Sequence, residues 1–311
     1  MDDESTSHLM RVREFLRARG DSGAAHVITD LDGTALHERE GRVWIPGSIE
    51  RGIRRIREGG GSVVVNTLRF PGSVIAVLAP EWARITGAPL PLVSLKGSQV
   101  GHVVKTADGG FAFEEAAAFP LEPGEIVEMM EGVAGMVDGG VDDLLVFHYP
   151  RDWREGEQVW TPRVERIAHV QDKYRSASRV FSGPVRALTE ALLAREICMI
   201  FLLVEAPQDR LMAYQHTHGA SFFTHVGVDK AHGTRAIARH LGIALECAIG
   251  AGDAEPDNFL SEVGLAVIVG NAELEYRGLH DTVRVSDAAA LGELLCAAAD
   301  AAAHARAAPR A

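Results

Sequence analysis

The segment Val27-Ile28-Thr29-Asp30-Leu31-Asp32-Gly33-Thr34 sets two carboxylates two residues apart, directly after a short apolar run. Such a run ending in acid and glycine reads as a buried parallel strand that delivers a loop. Open α/β sheets bind ligands at the carboxyl ends of their strands. If the chain leaves strand geometry there, Asp30 and Asp32 point into one crevice. One carboxylate can attack phosphorus and form an aspartyl-phosphate. A second beside it can protonate the leaving oxygen and then deprotonate water. The pair also suits a hard cation, because Mg²⁺ takes one or two carboxylates together with substrate oxygens. Asp-Gly is equally ordinary turn chemistry, so the reading depends on what the rest of the chain supplies.

Three other places supply it. Thr67 follows the β-branched run Ser62–Asn66, with Arg69 two residues on; a hydroxyl and a guanidinium at a strand end suit phosphate oxygens. Lys230 opens the helical stretch Ala231–Leu241. A cation there opposes the helix dipole, which points to another task, such as holding an anion against the helix end. Last, Gly252-Asp253-Ala254-Glu255-Pro256-Asp257 follows a strand and gathers acids that can complete a Mg²⁺ site.

The elements that must position these residues alternate. Ile49, Ile53 and Ile56 recur at helical spacing before the stop Gly59-Gly60-Gly61, and Ser62–Asn66 follows as a strand. Late in the chain, Ala231–Leu241 is a helix, Leu245–Gly250 a strand, Asp257–Val263 a short helix and Leu265–Val269 a buried strand. Alternation at both ends predicts an α/β fold, a doubly wound parallel sheet. Between about Trp82 and Thr217 the pattern is irregular, with strands expected at Val100–Lys105, Leu144–Tyr149 and Met199–Val204 and helices at Glu122–Val133 and Gly183–Arg195. This predicts an inserted α+β domain over 83–217, within a core of 1–82 and 218–311. Gly109-Gly110 and Gly139-Gly140 read as hairpin turns.

The four chemical segments resemble, in residue type and order, the four motifs of the haloacid dehalogenase superfamily of phosphohydrolases: Asp30-Leu31-Asp32-Gly33-Thr34, Thr67, Lys230, and Gly252-Asp253 with Asp257. The resemblance covers about 24–82 and 218–296. An insertion between the second and third motifs is the arrangement of the branch of Cof-type and sucrose-, trehalose- and mannosylglycerate-phosphate phosphatases. The Ile45-Pro46 entry and Gly270-Asn271-Ala272 fit that branch. It implies an HAD-like core with a specificity cap, Asp30 as nucleophile and Asp32 as general acid/base, with Thr67 and Lys230 completing the catalytic set. It further implies phosphate or substrate contacts at Gly33, Thr34, Arg69 and Asn271, and Mg²⁺ held by Asp30, the backbone carbonyl of Asp32, and Asp253, with Asp257 nearby. The expected substrate is a small phosphorylated metabolite, a sugar phosphate or phosphoglycerate-type glycoside. Two positions depart from the branch: Leu68 stands where Thr-Gly-Arg has glycine, and Pro256 where Asn-Asp has asparagine. A phosphotransferase or mutase would share Asp30 and Asp32, and a non-catalytic binding protein would keep only the fold. A dehalogenase would need neither Asp32 nor a metal.

The bulk properties agree with this. The chain has 311 residues, 47% hydrophobic and 24% charged, with a net charge of −12. That field disfavours nucleic acid and anionic membranes, and a phosphate site must carry its own cation. No apolar run reaches membrane-spanning length, and the amphipathic, arginine-bearing N-terminus does not read as a targeting signal. A cytoplasmic protein is expected, with the oligomeric state open. Cys198, Cys247 and Cys296 are far apart and odd in number, so they read as buried free thiols. The histidines at 216, 218, 225 and 232 match no common zinc spacing. Lys96, His148, Tyr149, Arg151 and Arg154 are candidate specificity contacts of the insertion, and the alanine-rich end from Ala297 is read as a fraying helix with a tail.

Overall fold

The computed structural model describes residues 3–18, 23–39, 42–204 and 222–307. Its larger sheet has eight strands. In spatial order they are Asp281–Val285 (β15), Leu265–Val269 (β14), Ile249–Gly252 (β13), Val27–Thr29 (β1), Val63–Asn66 (β4), Leu90–Ser94 (β5), Gln99–Lys105 (β6) and Phe111–Ala118 (β7). The first six run parallel, and β5-β6-β7 are antiparallel. The central strands are buried along their whole length, as continuous β-branched runs require when both faces are covered.

Helices cover both faces. On one, Asp3–Ala18 (α1), Gly47–Glu58 (α2), Pro71–Val77 (α3), Ala79–Thr86 (α4) and Ala288–Ala307 (α9) share a core with Val27, Val63, Val65, Ile249 and Val267. Ile49, Ile53 and Ile56 all face into it. On the other, Lys230–Leu241 (α8) packs Ala231, Ile237 and Ala238 against Ile28, Val64 and Ala266. The predicted doubly wound fold is therefore present. The short apolar stretches at 245–247 and 258–261 are single 3₁₀ turns rather than strand and helix.

A second sheet orders Ala177–Ser182 (β10), Glu157–Thr161 (β9), Leu144–Pro150 (β8), Ile197–Val204 (β11) and Phe222–Phe223 (β12). The period-2 alternation of β8 divides its side chains. Leu144 and Val146 pack under Pro123–Asp138 (α5) and Val185–Leu193 (α7). Leu145, Phe147 and Tyr149 face the other way, against Leu95 and Phe70 of the core. The larger sheet runs on to Ala118, so strands 90–118, expected in the insertion, extend the core instead. The expected return to the core at 217–218, with His216 and His218, lies outside the described residues.

Gly109-Gly110 turns β6 into β7 as expected. Gly139-Gly140 instead ends α5: the apolar face from Ile126 to Val133 continues the helical period through the glycines' neighbours. A hairpin His37–Arg39 (β2) and Arg42–Trp44 (β3) follows the Asp30 loop. Cys198 and Cys296 are buried free thiols, whereas Cys247 is only half-buried because it lies on an exposed 3₁₀ turn. α9 continues through Ala307, and 308–311 lie outside the described residues.

Candidate active site

Val27, Ile28 and Thr29 pair with β13 on one side and β4 on the other, so the carboxyl ends of all three strands open side by side. Asp30 leaves β1 with its amide donating to the Ala251 carbonyl at 2.8 Å, and its side chain is buried. Lys230 is also buried, with only 2% of its surface exposed, and its Nζ donates to Asp30 Oδ1 and Asp257 Oδ1, each at 2.6 Å. Asp257 Oδ2 accepts the amides of Asp253 and Ala254 at 2.9 and 3.0 Å, which folds the acidic loop back on itself. Thr34 Oγ donates to Asp253 Oδ1 at 2.6 Å.

Gly33 is where the Asp30 loop meets the Asp253 loop. Its φ is +81°, and a Cβ there would lie 2.3 Å from Asp253 Oδ2. Only glycine permits both the backbone conformation and the approach.

Carboxylate oxygens of Asp30, Asp253 and Asp257 lie within 4.8 Å of one another. Burial raises the pKa of Asp30, the neighbouring carboxylates add to this, and Lys230 opposes it. Burial likewise raises Asp253. Burial works against the charge of Lys230, but Asp30 and Asp257 overcome it and hold the ammonium above its usual range. Three carboxylates against one ammonium leave a buried surplus of negative charge. An all-oxygen donor set of this kind fits a hard divalent cation such as Mg²⁺.

Asp32 differs. Its carboxylate is half-exposed and receives both arms of Arg69, Nε at 2.7 Å and Nη2 at 2.6 Å. Thr67 is buried at the end of β4, and its Oγ accepts the Arg69 amide at 3.2 Å. Leu68, between them, is half-buried.

Two residues that the sequence reading passed over place Lys230. Asn66 Nδ2 donates to the Lys230 carbonyl at 3.0 Å and to Thr234 Oγ at 2.8 Å. Asn258 accepts the Ala231 amide at 3.0 Å and donates to Asp229 at 2.6 Å, while Asp229 caps the helix through the His232 amide at 2.7 Å. An Asp before a helix and an Asn ending a strand are visible signals, but Asn258 lies 29 positions from Asp229, and the partners of Asn66 lie 164 and 168 positions away.

The remaining candidates scatter. Asn271 is exposed and lines a separate groove with Arg284, between α1 and α9; no hydrogen bond from it to the Asp30 cluster occurs among the described residues. Lys96 belongs to the core, in the loop after β5; its amide donates to the Thr67 carbonyl at 3.3 Å. Leu95 and Lys96 both have positive φ, 50° and 57°, a strained pair of a kind that concentrates at functional sites. Gly97 follows because a Cβ there would sit 2.0 Å from the Asp229 carbonyl oxygen. Tyr149 is buried, donating to Glu157 at 2.6 Å. Arg151 is shared between Glu115 and Glu196, and Arg154 is exposed beside Asp152. His225 pairs with Glu125 at 3.0 Å, and His232 lies edge-on to Phe119.

Residues 196–285 match the family described as haloacid dehalogenase-like hydrolase, a span that includes Lys230, Asp253 and Asp257. Comparison with curated proteins finds no sequence match. Among solved structures, the chain resembles BT1666 from Bacteroides thetaiotaomicron, titled a phosphatase of the HAD superfamily: 17% identity over 89% of this chain and 96% of that one, TM-score 0.61. It resembles BT4131, titled a subclass IIB sugar phosphatase, at 16% identity over 88% and 97%, TM-score 0.61. It also resembles TM0651 from Thermotoga maritima at 16% identity over 88% and 96%, TM-score 0.58. The family match covers residues 196–285, and the solved structures share the fold of the chain.

Proposed function

We propose that the chain is a Mg²⁺-dependent phosphatase of a small phosphorylated metabolite. The observation that carries this is the buried Asp30 carboxylate, held by Lys230 in a cluster with Asp253 and Asp257. Asp30 attacks phosphorus in line, forming an aspartyl-phosphate. Asp32 protonates the leaving alcohol and later takes a proton from the attacking water. For this Asp32 must leave Arg69, and the incoming phosphate offers that guanidinium another partner. Lys230 and the Thr67 hydroxyl neutralise and orient phosphate oxygens, so that positioning and charge stabilisation supply most of the rate. Asp30, Asp253, the Asp32 carbonyl and the nearby Asp257 would hold the Mg²⁺. When bound, it offsets charge on the transferring phosphoryl group.

The second sheet, with α5 and α7, acts as the inserted specificity cap, and the core resumes after β12. Phe70 and Leu95 bring the phosphate loops against the cap's Phe147 and Tyr149. The motif resemblance makes the reading a sugar phosphate or phosphoglycerate-type glycoside. No helix among the described residues is long and apolar enough to cross a membrane, and the free thiols support a reducing, cytoplasmic setting.

The test is phosphate release from a panel of phosphorylated metabolites, with and without Mg²⁺. Asp30→Asn and Asp32→Asn should each abolish release while leaving the melting curve cooperative. Near-full activity of Asp32→Asn would remove the acid/base assignment, and transfer of phosphate to an acceptor without release would identify a phosphotransferase.

A further inference from the structure

On the side of the cap sheet that faces away from the core, a cavity of about 220 Å³ opens between β8, β9, β10 and the start of α7. The alternation of β8 that sends Tyr149 toward the core sends His148 into this cavity. His148 is 4% exposed, and its Nδ1 has no hydrogen-bond partner. An unpartnered buried polar atom carries a desolvation cost, and in a native fold it calls for an explanation. Gln158 lies opposite His148 in the strand register, and burial holds the imidazole pKa down at about 4, so the ring is neutral.

The rest of the lining sets Arg179, Arg195, Gln158 and Ser182 among apolar walls that include Trp160, Phe181 and Leu188. Arg179 and Arg195 both border the cavity. Arg195 pairs with Glu155, while Arg179 lies over the Phe181 ring at 4.8 Å and has no ion pair among the described residues. Gly183 and Pro184 bring the start of α7 to the same wall. Two guanidiniums face one carboxylate, in a chain whose net charge is −12, so a positive hollow here stands against the general field.

We propose that this cavity is a second anion site, taking a phosphate-sized tetrahedral oxyanion, either free phosphate or the head of a larger metabolite. His148 would donate Nδ1–H to it, and Arg179 would supply the charge. A water occupies about 30 Å³ of liquid, so the cavity holds such an ion with its bridging waters. The site lies across the cap sheet from the catalytic crevice and shares no residue with it.

The experiment is an imidazole ¹H–¹⁵N titration of the full chain with inorganic phosphate and, separately, methylphosphonate. A saturable shift of the His148 Nδ1 resonance is expected, and the tighter of the two probes tells whether the free ion or an organic head group is preferred. Arg179→Ala should weaken saturation about tenfold, the loss of one charge-assisted contact, and Arg179→Lys should restore part of it. Arg179 is exposed, so neither change threatens the fold. A His148 resonance that does not move with either probe, or a titration unchanged by Arg179→Ala, would overturn the site. Phosphate binding at the Asp30 cluster moves neither readout, so this result is separate from the fate of the proposed activity.

Discussion

Asp30 and Asp32 lie two residues apart, yet their surroundings are opposites. Asp30 is buried, bonded to a buried lysine and crowded by two more carboxylates. Asp32 is half-exposed and held by one guanidinium. A buried charge whose partner is removed is left uncompensated, whereas an exposed pair is screened by water. The first arrangement suits a group that must stay in place to attack, and the second a group that must exchange protons and change partners.

The largest effect should come from Lys230→Met. Removing the ammonium leaves its carboxylates buried without a cation, and breaking such a pair costs on the order of 3–5 kcal/mol. Denaturant unfolding should show that loss, with phosphate release abolished. A variant of unchanged stability would mean that the cluster is not the buried network described.

Next comes the metal. Saturating Mg²⁺ at about 100 times its dissociation constant should add about 2.7 kcal/mol, read as a higher melting temperature that chelation reverses. Its sign with pH is set by the raised Asp30 and Asp253 carboxyls. Acids with raised folded pKa values stabilise the metal-free fold fully below the unfolded pKa, and that stability is lost as pH rises through the folded value. Metal-free protein should therefore lose stability as pH climbs out of the ordinary carboxylate range. Mg²⁺ binding should strengthen over the same interval, because protons no longer compete. A Mg²⁺ effect that grows toward acid pH would contradict the cluster as the metal's seat.

Asn66→Ala tests how Lys230 is placed without touching a charge. Its buried partners, the Lys230 carbonyl and the Thr234 hydroxyl, would lose a donor at a cost of about 1–3 kcal/mol. Turnover should fall with little change in KM; a change in KM alone would assign Asn66 to substrate binding. The smallest stability effect belongs to Arg69→Ala, below about 1 kcal/mol by unfolding, with a raised KM because the incoming phosphate loses a guanidinium. An unfolding loss as large as that of Lys230→Met would break the contrast between the two aspartates.

Much of this was readable before any coordinates. The continuous β-branched runs ending at Asp30 and Asn66, the Ile49–Ile53–Ile56 spacing and the order of Asp30, Thr67, Lys230 and Asp253 are local patterns, and local patterns report element type and motif order. Three things were not local. Strands 90–118 joined the core sheet because antiparallel pairing to β5 leaves no mark that separates core from insertion. Asn66, Asp229 and Asn258 looked like ordinary ends and caps until folding set each against the start of α8. His148 and Tyr149, neighbours in sequence, went to opposite faces of one sheet through a strand's period of two, and only the elements packed on each face distinguish a hydrogen bond to Glu157 from an unpartnered nitrogen in a cavity. The sequence alone determined which groups could do chemistry; the tertiary structure decided which of them share a dry, charged space, because burial and partner distance belong to packing and are not encoded residue by residue.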